Sequence, residues 1–126
     1  MSNILPTILI IDDDPVILDL YHRELGQDFD VITCSRKDDA LAVIYNQNLD
    51  AIVLEPIAMN GQGWNLLNMI TVPRTTRSLP IILCSVQDER RHGLEMGAAV
   101  FLVKPILPVQ LIETLRTVVG KTDMIE

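Results

Sequence analysis

Acidic, basic and hydroxyl side chains follow the short apolar runs of this chain at the points where the runs end. Three consecutive aspartates, Asp12 to Asp14, follow the run TILII, and Glu55 follows AIVL. Ser85 follows PIILC, and Lys104 follows VFLV. If the runs are parallel strands of one sheet, these groups meet at its carboxyl-terminal edge, where open α/β sheets place their functional crevice.

The residue types at this edge suit magnesium and phosphoryl chemistry. Clustered carboxylates repel one another unless a hard cation or an ammonium group neutralises them. A hydroxyl and a lysine can hold the oxygens of a phosphoryl group, and one acid could serve as a nucleophile that forms an acyl phosphate. Asp14 has a second explanation, because an aspartate before Pro15 also suits a helix cap.

The apolar runs themselves predict a parallel sheet. They are short and rich in β-branched residues, and most are apolar at nearly every position, which is typical of strands buried on both faces. Helical stretches separate them, so the order is β-α five times. This order predicts a doubly wound five-stranded sheet in three α/β/α layers, with right-handed crossovers. The predicted strands are Thr7–Ile11, Val31–Cys34, Ala51–Leu54, Pro80–Cys84 and Val100–Val103.

Local signals predict the helix boundaries. The first helix is capped by Asp14 and ends at Gly26, and the second is capped by Ser35 with Asp38. The third helix follows Gly63. A weak fourth helix runs from Asp88 to Met96 before Gly97, and the fifth begins at Pro108.

Composition limits the class of protein. The chain has 126 residues, a formal charge of −7 and 48% apolar residues, which suits one domain over residues 1–126, with a core over about 6–120 and a loose tail over 121–126. The acidic balance argues against direct nucleic-acid binding, and no apolar run approaches the roughly 20 residues of a membrane span. Because the start lacks a secretion signal and Cys34 and Cys84 lack zinc or disulfide spacing, we expect reduced thiols in a cytoplasmic protein.

Taken together, the segments ILIIDDDP, LDAIVLEPIAMNGQGW, LPIILCS and GAAVFLVKP resemble the receiver domain of two-component response regulators. That resemblance implies the CheY-like version of the flavodoxin-like fold. It also implies that the chain is a signalling module and not an enzyme. The implied partner of this module is a histidine kinase or a downstream effector protein. No organic cofactor is implied, and a homodimer is left open.

The resemblance also implies roles for the residues at the sheet edge. Asp12 and Asp13 stand where the family has its acidic, metal-binding pair, so Mg²⁺ is expected there unless the site has lost it. Glu55 stands where the family has the aspartate that accepts phosphate from the kinase. Ser85 matches the hydroxyl that bonds the phosphoryl oxygens, and Lys104 matches the family's lysine.

Two further positions match the family's switch and turn. Phe101 matches the aromatic residue that changes rotamer on activation. The Lys104–Pro105 peptide bond is expected to be cis, as it usually is in the family; proline is the residue that makes a cis bond accessible.

Glu55 is the main departure from the family pattern. Glutamate is one methylene longer than aspartate, which moves its carboxylate outward by roughly 1.3 Å. Since a misplacement of about 1 Å can cost a nucleophile on the order of a hundredfold in rate, we predict poor or no phosphorylation at this position. The longer side chain can instead reach Lys104 or Ser85, so we predict a fixed, phosphorylation-independent state with Glu55 paired to Lys104.

Other departures lie around the same edge. Val86 follows Ser85 where a small residue is usual, and its branched side chain is expected to narrow access to the pocket. Met59 and Asn60 replace the usual Pro-Gly. The segment from Ser85 to Lys104 is about three residues short, roughly one helical turn, so we expect a remodelled output face around the fourth helix.

Two other classes of protein compete with the receiver interpretation. A haloacid-dehalogenase-like phosphohydrolase would use Asp12 and Asp14, with Ser85 and Lys104 on later strands, but it requires a further acidic motif near the last strand. A flavodoxin-like cofactor binder would share the topology, but the acidic loop after the first strand offers no cradle for a phosphate.

Overall fold

The computed structural model describes residues 4–123, and the side chains of residues 4–120. Five parallel strands form one sheet in the order β2-β1-β3-β4-β5, and a helix follows each strand. The strands are β1 (Thr7–Ile11), β2 (Asp30–Cys34), β3 (Ala51–Leu54), β4 (Ile81–Ser85) and β5 (Val100–Val103). The helices are α1 (Pro15–Leu25), α2 (Lys37–Asn46), α3 (Gln62–Thr71), α4 (Arg90–Glu95) and α5 (Pro108–Asp123). The predicted doubly wound, flavodoxin-like sheet is therefore confirmed.

Helices cover both faces of the sheet because neighbouring strand residues point to opposite sides. On one face the strands pack against α2 and α3, and on the other they pack against α1 and α5. The buried strand residues on the first face are Leu9, Ile11, Cys34, Ile52, Leu54, Ile81, Leu83 and Phe101. Those on the second face are Ile8, Ile10, Ala51, Val53, Ile82 and Cys84. Burial on both sides explains why the runs are apolar at nearly every position.

The cap of α1 agrees with its sequence signal. Asp14 has extended backbone angles, and its side chain accepts a hydrogen bond from the Val16 amide at 3.0 Å. Pro15 occupies the first helical position, where its missing N–H costs nothing. Gly97 closes α4 with a φ of 105°, a left-handed conformation that glycine adopts without steric cost.

Several predicted helix boundaries are wrong. Helix α4 spans Arg90–Glu95 and is shorter at both ends than the predicted segment from Asp88 to Met96. Helix α2 is preceded by Arg36 rather than Ser35, without a side-chain cap. Helix α3 begins before Gly63, because Gly61 makes the turn with a φ of 83°. Helix α5 runs to Asp123, so residues 121–123 of the predicted loose tail are helical, while 124–126 lie outside the described residues.

No helix within residues 4–123 combines the length and the apolar character that crossing a bilayer requires.

Candidate functional site

Backbone hydrogen bonds carry the sheet one residue past its strands and thereby bring the polar groups together. The Glu55 amide donates to the Ile11 carbonyl at 3.0 Å, which fixes Glu55 beside Asp12. The Lys104 amide donates to the Ser85 carbonyl at 2.7 Å. The four residues that the sequence placed at the strand ends therefore do meet at one edge of the sheet.

Lys104 joins the two buried carboxylates. Its Nζ lies 2.8 Å from Oδ2 of Asp12 and 3.0 Å from Oε1 of Glu55. The lysine side chain is 14% exposed and each carboxylate is 7% exposed, so solvent screens these pairs far less than it screens surface ion pairs. Burial by itself lowers the pKa of Lys104, but its hydrogen bonds to Asp12 and Glu55 and their negative charges outweigh that effect, and the pKa is raised. The ammonium group is therefore charged throughout the physiological range.

The remaining oxygens of the cluster also have partners. Oδ1 of Asp12 accepts from the Asp14 amide at 3.0 Å, and Oε2 of Glu55 faces the Ile57 amide at 3.4 Å. The Ser85 hydroxyl, which is 1% exposed, accepts from the Gln87 amide at 3.3 Å. Among the described residues, no buried side-chain nitrogen or oxygen lacks a hydrogen-bond partner.

Asp13 is oriented differently from its neighbour. It is exposed, and its Oδ2 accepts a hydrogen bond from the Met59 amide at 2.8 Å. Asp12 and Glu55 lie around the lysine instead, and within residues 4–123 no three Asp, Glu, His or Cys side chains form a cluster that could hold a metal ion. In this arrangement Asp12 and Glu55 contact Lys104 and Asp13 contacts the Met59 amide, so the acids do not form the set of ligands that the resemblance implies for Mg²⁺.

Asp14 lies outside the cluster and serves as the cap of α1. The haloacid-dehalogenase-like alternative needs Asp12 and Asp14 in one site, so the geometry does not favour it.

The loop between β3 and α3 has an unusual backbone. Met59 and Asn60 have φ values of 57° and 59°, and Gly61 follows at 83°. A left-handed conformation costs a residue other than glycine roughly 1–2 kcal/mol, and asparagine tolerates it best. Met59 and Asn60 stand out in the sequence as departures from the family pattern, but nothing in the sequence predicts that the Met59 amide reaches Asp13.

Two further ionisable side chains, Tyr21 and Cys84, lie close enough to Lys104 for its charge to act on them. The Tyr21 hydroxyl donates to the Ile106 carbonyl at 3.2 Å, and burial raises the pKa of Tyr21. Burial also raises the pKa of Cys84 to about 12, so this thiol is protonated and unreactive at neutral pH. The sequence did not point to Tyr21, and it pointed to Cys84 only as a reduced thiol, because buried positions of a helix and a strand look alike whether or not they lie near a site.

Phe101, the expected switch residue, lies inside the core and is 5% exposed. Helix α4 can approach its ring because residue 93 is glycine. A Cβ atom at Gly93 would lie 2.7 Å from Cδ1 of Leu83 and 2.9 Å from Cδ2 of Phe101. The Lys104–Pro105 peptide bond is cis, as the resemblance implies.

We expect Gly93→Ala to displace α4 or the Phe101 ring and to destabilise the fold by about 1–2 kcal/mol. Overpacking costs about 1–3 kcal/mol, and the gain in helix propensity of up to about 1 kcal/mol offsets part of it. Trp64, the single tryptophan, has its ring 4.6 Å from that of His92, so its fluorescence should report a shift of α4. Urea unfolding gives the stability, and Glu95→Ala on the exposed side of the same helix is the control. Equal stability and fluorescence in both variants would contradict the close packing.

Comparison with known proteins identifies the family to which this fold belongs. A family model described as "Response regulator receiver domain" matches residues 8–116. The phosphate regulon transcriptional regulatory protein PhoB of Pseudomonas aeruginosa is 28% identical over 92% of this chain and 52% of its own length. The DNA-binding dual master transcriptional regulator RpaA of Synechocystis is 30% identical over 96% of this chain and 52% of its own length. This chain therefore spans about half the length of these relatives.

Solved structures agree as well. The receiver domain of the Francisella response regulator 1452 has a TM-score of 0.84 and 25% identity, and the match covers 93% of this chain and 98% of that one. A CheY-like receiver domain protein from Methanospirillum hungatei has a TM-score of 0.85 over 94% of this chain and 97% of its own, and at 24% identity it supports the fold alone. On the match over residues 8–116, this chain belongs to the family of response regulator receiver domains.

Proposed function

We propose that this receiver domain signals in a state set by the ion pair between Glu55 and Lys104, rather than by phosphorylation of residue 55. The observation that supports the proposal is the 3.0 Å distance between Oε1 of Glu55 and Nζ of Lys104. A phosphoryl group on residue 55 would have to draw on the same ammonium group that Glu55 and Asp12 already share.

Both oxygens of Glu55 are turned to internal partners, which supports the same conclusion. One faces Lys104, and the other faces the Ile57 amide. A carboxylate held in this way, at the end of a longer side chain, lacks the near-attack placement that a nucleophile needs. The degenerate acceptor therefore serves as a permanent negative charge beside the lysine.

The output of such a module is binding to another protein, either a histidine kinase or a downstream effector. Helix α4 has only six residues, Arg90–Glu95, in keeping with a remodelled output face. The relatives PhoB and RpaA are transcriptional regulators about twice as long as this chain. DNA binding is therefore not proposed for the segment described, and any output domain would lie beyond it. The two free thiols, Cys34 and Cys84, suit the cytoplasm, where thiols stay reduced.

Phosphorylation of the wild type and of Glu55→Asp tests the proposal. With acetyl phosphate, in parallel reactions with and without magnesium, we expect Glu55→Asp to form the acyl phosphate at least about a hundredfold faster than the wild type, because the shorter side chain restores the reactive geometry. Intact-mass spectrometry measures the added phosphate, and a beryllofluoride titration followed by Trp64 fluorescence measures the conformational response.

Glu55→Gln is the control, since it keeps the length and removes the nucleophile. Incorporation of phosphate at residue 55 of the wild type would overturn the proposal. Equal inertness of the wild type and Glu55→Asp would also overturn it, because the side-chain length would then not be the obstacle.

A further inference from the structure

The loop after β1 and the loop after β3 are joined by one hydrogen bond between residues far apart in the sequence. Oδ2 of Asp13 accepts from the Met59 amide at 2.8 Å. The neighbouring acid, Asp12, is bound to Lys104 and to the Asp14 amide. The two acids that a receiver domain would offer to a cation are thus both in internal contacts.

In the left-handed turn of the β3–α3 loop, the Met59 amide donates its hydrogen bond to the Asp13 side chain. Within the loop, the Ala58 amide donates to the Glu55 carbonyl, and the Gly61 amide donates to the carbonyls of Ile57 and Ala58. Asp13 supplies the acceptor for Met59. Methionine at position 59 makes this hydrogen bond possible, since the proline that is usual there in the family has no N–H to donate.

We propose that the hydrogen bond between Asp13 and Met59 replaces a bound cation as the link between these two loops, so that the pocket keeps its shape without a divalent metal. A cation at this edge would need oxygen ligands from Asp12 and Asp13. A cation bound through these two acids would therefore compete with the Met59 amide for Asp13 and with Lys104 for Asp12. The inference concerns the cation and does not depend on whether Glu55 can be phosphorylated.

Hydrogen exchange of the Met59 amide, followed by NMR on the full chain, tests the link directly. We expect Asp13→Ala to raise its exchange rate about tenfold, since the amide then exchanges through more frequent opening. Asp13→Asn keeps an oxygen acceptor without the charge and should give an intermediate rate. Asp19→Ala removes another exposed acid, which lies on α1 and pairs with Arg23 of the same helix, and it should leave the exchange rate of the Met59 amide unchanged.

Titration with magnesium chloride alone completes the test. In the wild type, we expect neither the exchange of the Met59 amide nor the thermal midpoint to change at millimolar Mg²⁺. Saturable Mg²⁺-dependent shifts at Asp12 and Asp13, with faster exchange at Met59, would overturn the inference. Equal exchange rates in the wild type, Asp13→Asn and Asp13→Ala would overturn it as well.

The two proposals fail in different ways. A wild type that binds Mg²⁺ but takes up no phosphate removes the loop link and leaves the proposed function standing. A wild type that is phosphorylated at residue 55 without a divalent cation removes the proposed function and leaves the loop link standing.

Discussion

Lys104→Met is expected to lower the free energy of unfolding by about 3–5 kcal/mol, which is the usual cost of removing one partner from a buried ion pair. The substitution leaves the carboxylates of Asp12 and Glu55 side by side, both nearly inaccessible to solvent and without the ammonium group between them. Methionine has nearly the same shape and fills the space, so the change reports charge rather than a cavity. Urea unfolding at neutral pH measures this loss in the free energy of unfolding.

Lys37→Met is the matched control. Lys37 donates to Asn65 at the surface, so we expect this substitution to stay within about 0.5 kcal/mol of the wild type. Adding Glu55→Gln to Lys104→Met removes one of the two stranded charges and should recover part of the loss. A Lys104→Met variant as stable as Lys37→Met would mean that the ion pairs contribute nothing to the fold.

The same lysine predicts how stability depends on pH. Because the folded state raises the pKa of Lys104 above its usual value of 10.5, its contribution is complete below pH 10.5 and is lost as the pH rises through the folded-state pKa. The stability difference between the wild type and Lys104→Met should therefore be constant from about pH 7 to about pH 9 and shrink only in stronger alkali.

Gly63→Ala is expected to destabilise the fold by about 3 kcal/mol, although alanine is the better helix former. A Cβ atom at this position in α3 would lie 2.4 Å from the Pro56 carbonyl oxygen and 2.6 Å from that of Glu55. Both are backbone atoms, so the helix or the segment that carries Glu55 must move. The variant should therefore also disturb the contact between Glu55 and Lys104, which chemical shifts around Lys104 would report.

Gly120→Ala makes the same change in α5, where an added Cβ meets no atom of the described side chains and backbone within 4 Å. We expect it to stabilise the protein by about 0.5–1 kcal/mol through helix propensity alone. Opposite signs for the two glycines, measured by urea unfolding, would show that close approach to the backbone decides the effect at Gly63. A stabilising Gly63→Ala would contradict the contact.

The sheet and the position of the pocket could be predicted from the sequence because both follow from local pattern. The strands β1, β3 and β5 begin and end where their apolar runs do, β2 begins one residue earlier than predicted, and β4 is shifted by one residue at both ends. Parallel strands end at one edge, so the residues that follow them had to meet. The Glu55–Lys104 contact needed only the further fact that glutamate is long enough to reach the lysine.

The partner of Asp13 and the start of α3 depend on the path of the loops, so only the tertiary structure decided them. Nothing near Asp13 in the sequence indicates that its carboxylate accepts from the Met59 amide rather than facing Asp12 across the pocket. The start of α3 was misplaced for a related reason, since Gly63 looks like a residue before a helix but is required inside it by carbonyl oxygens of the preceding loop.

Side-chain pattern therefore determines which residues gather at the sheet edge, because burial and strand direction are local properties with long-range consequences. Which partner each of them takes there depends on backbone amides and carbonyls that distant segments bring within about 3 Å, and every residue type except proline carries the same N–H and C=O groups.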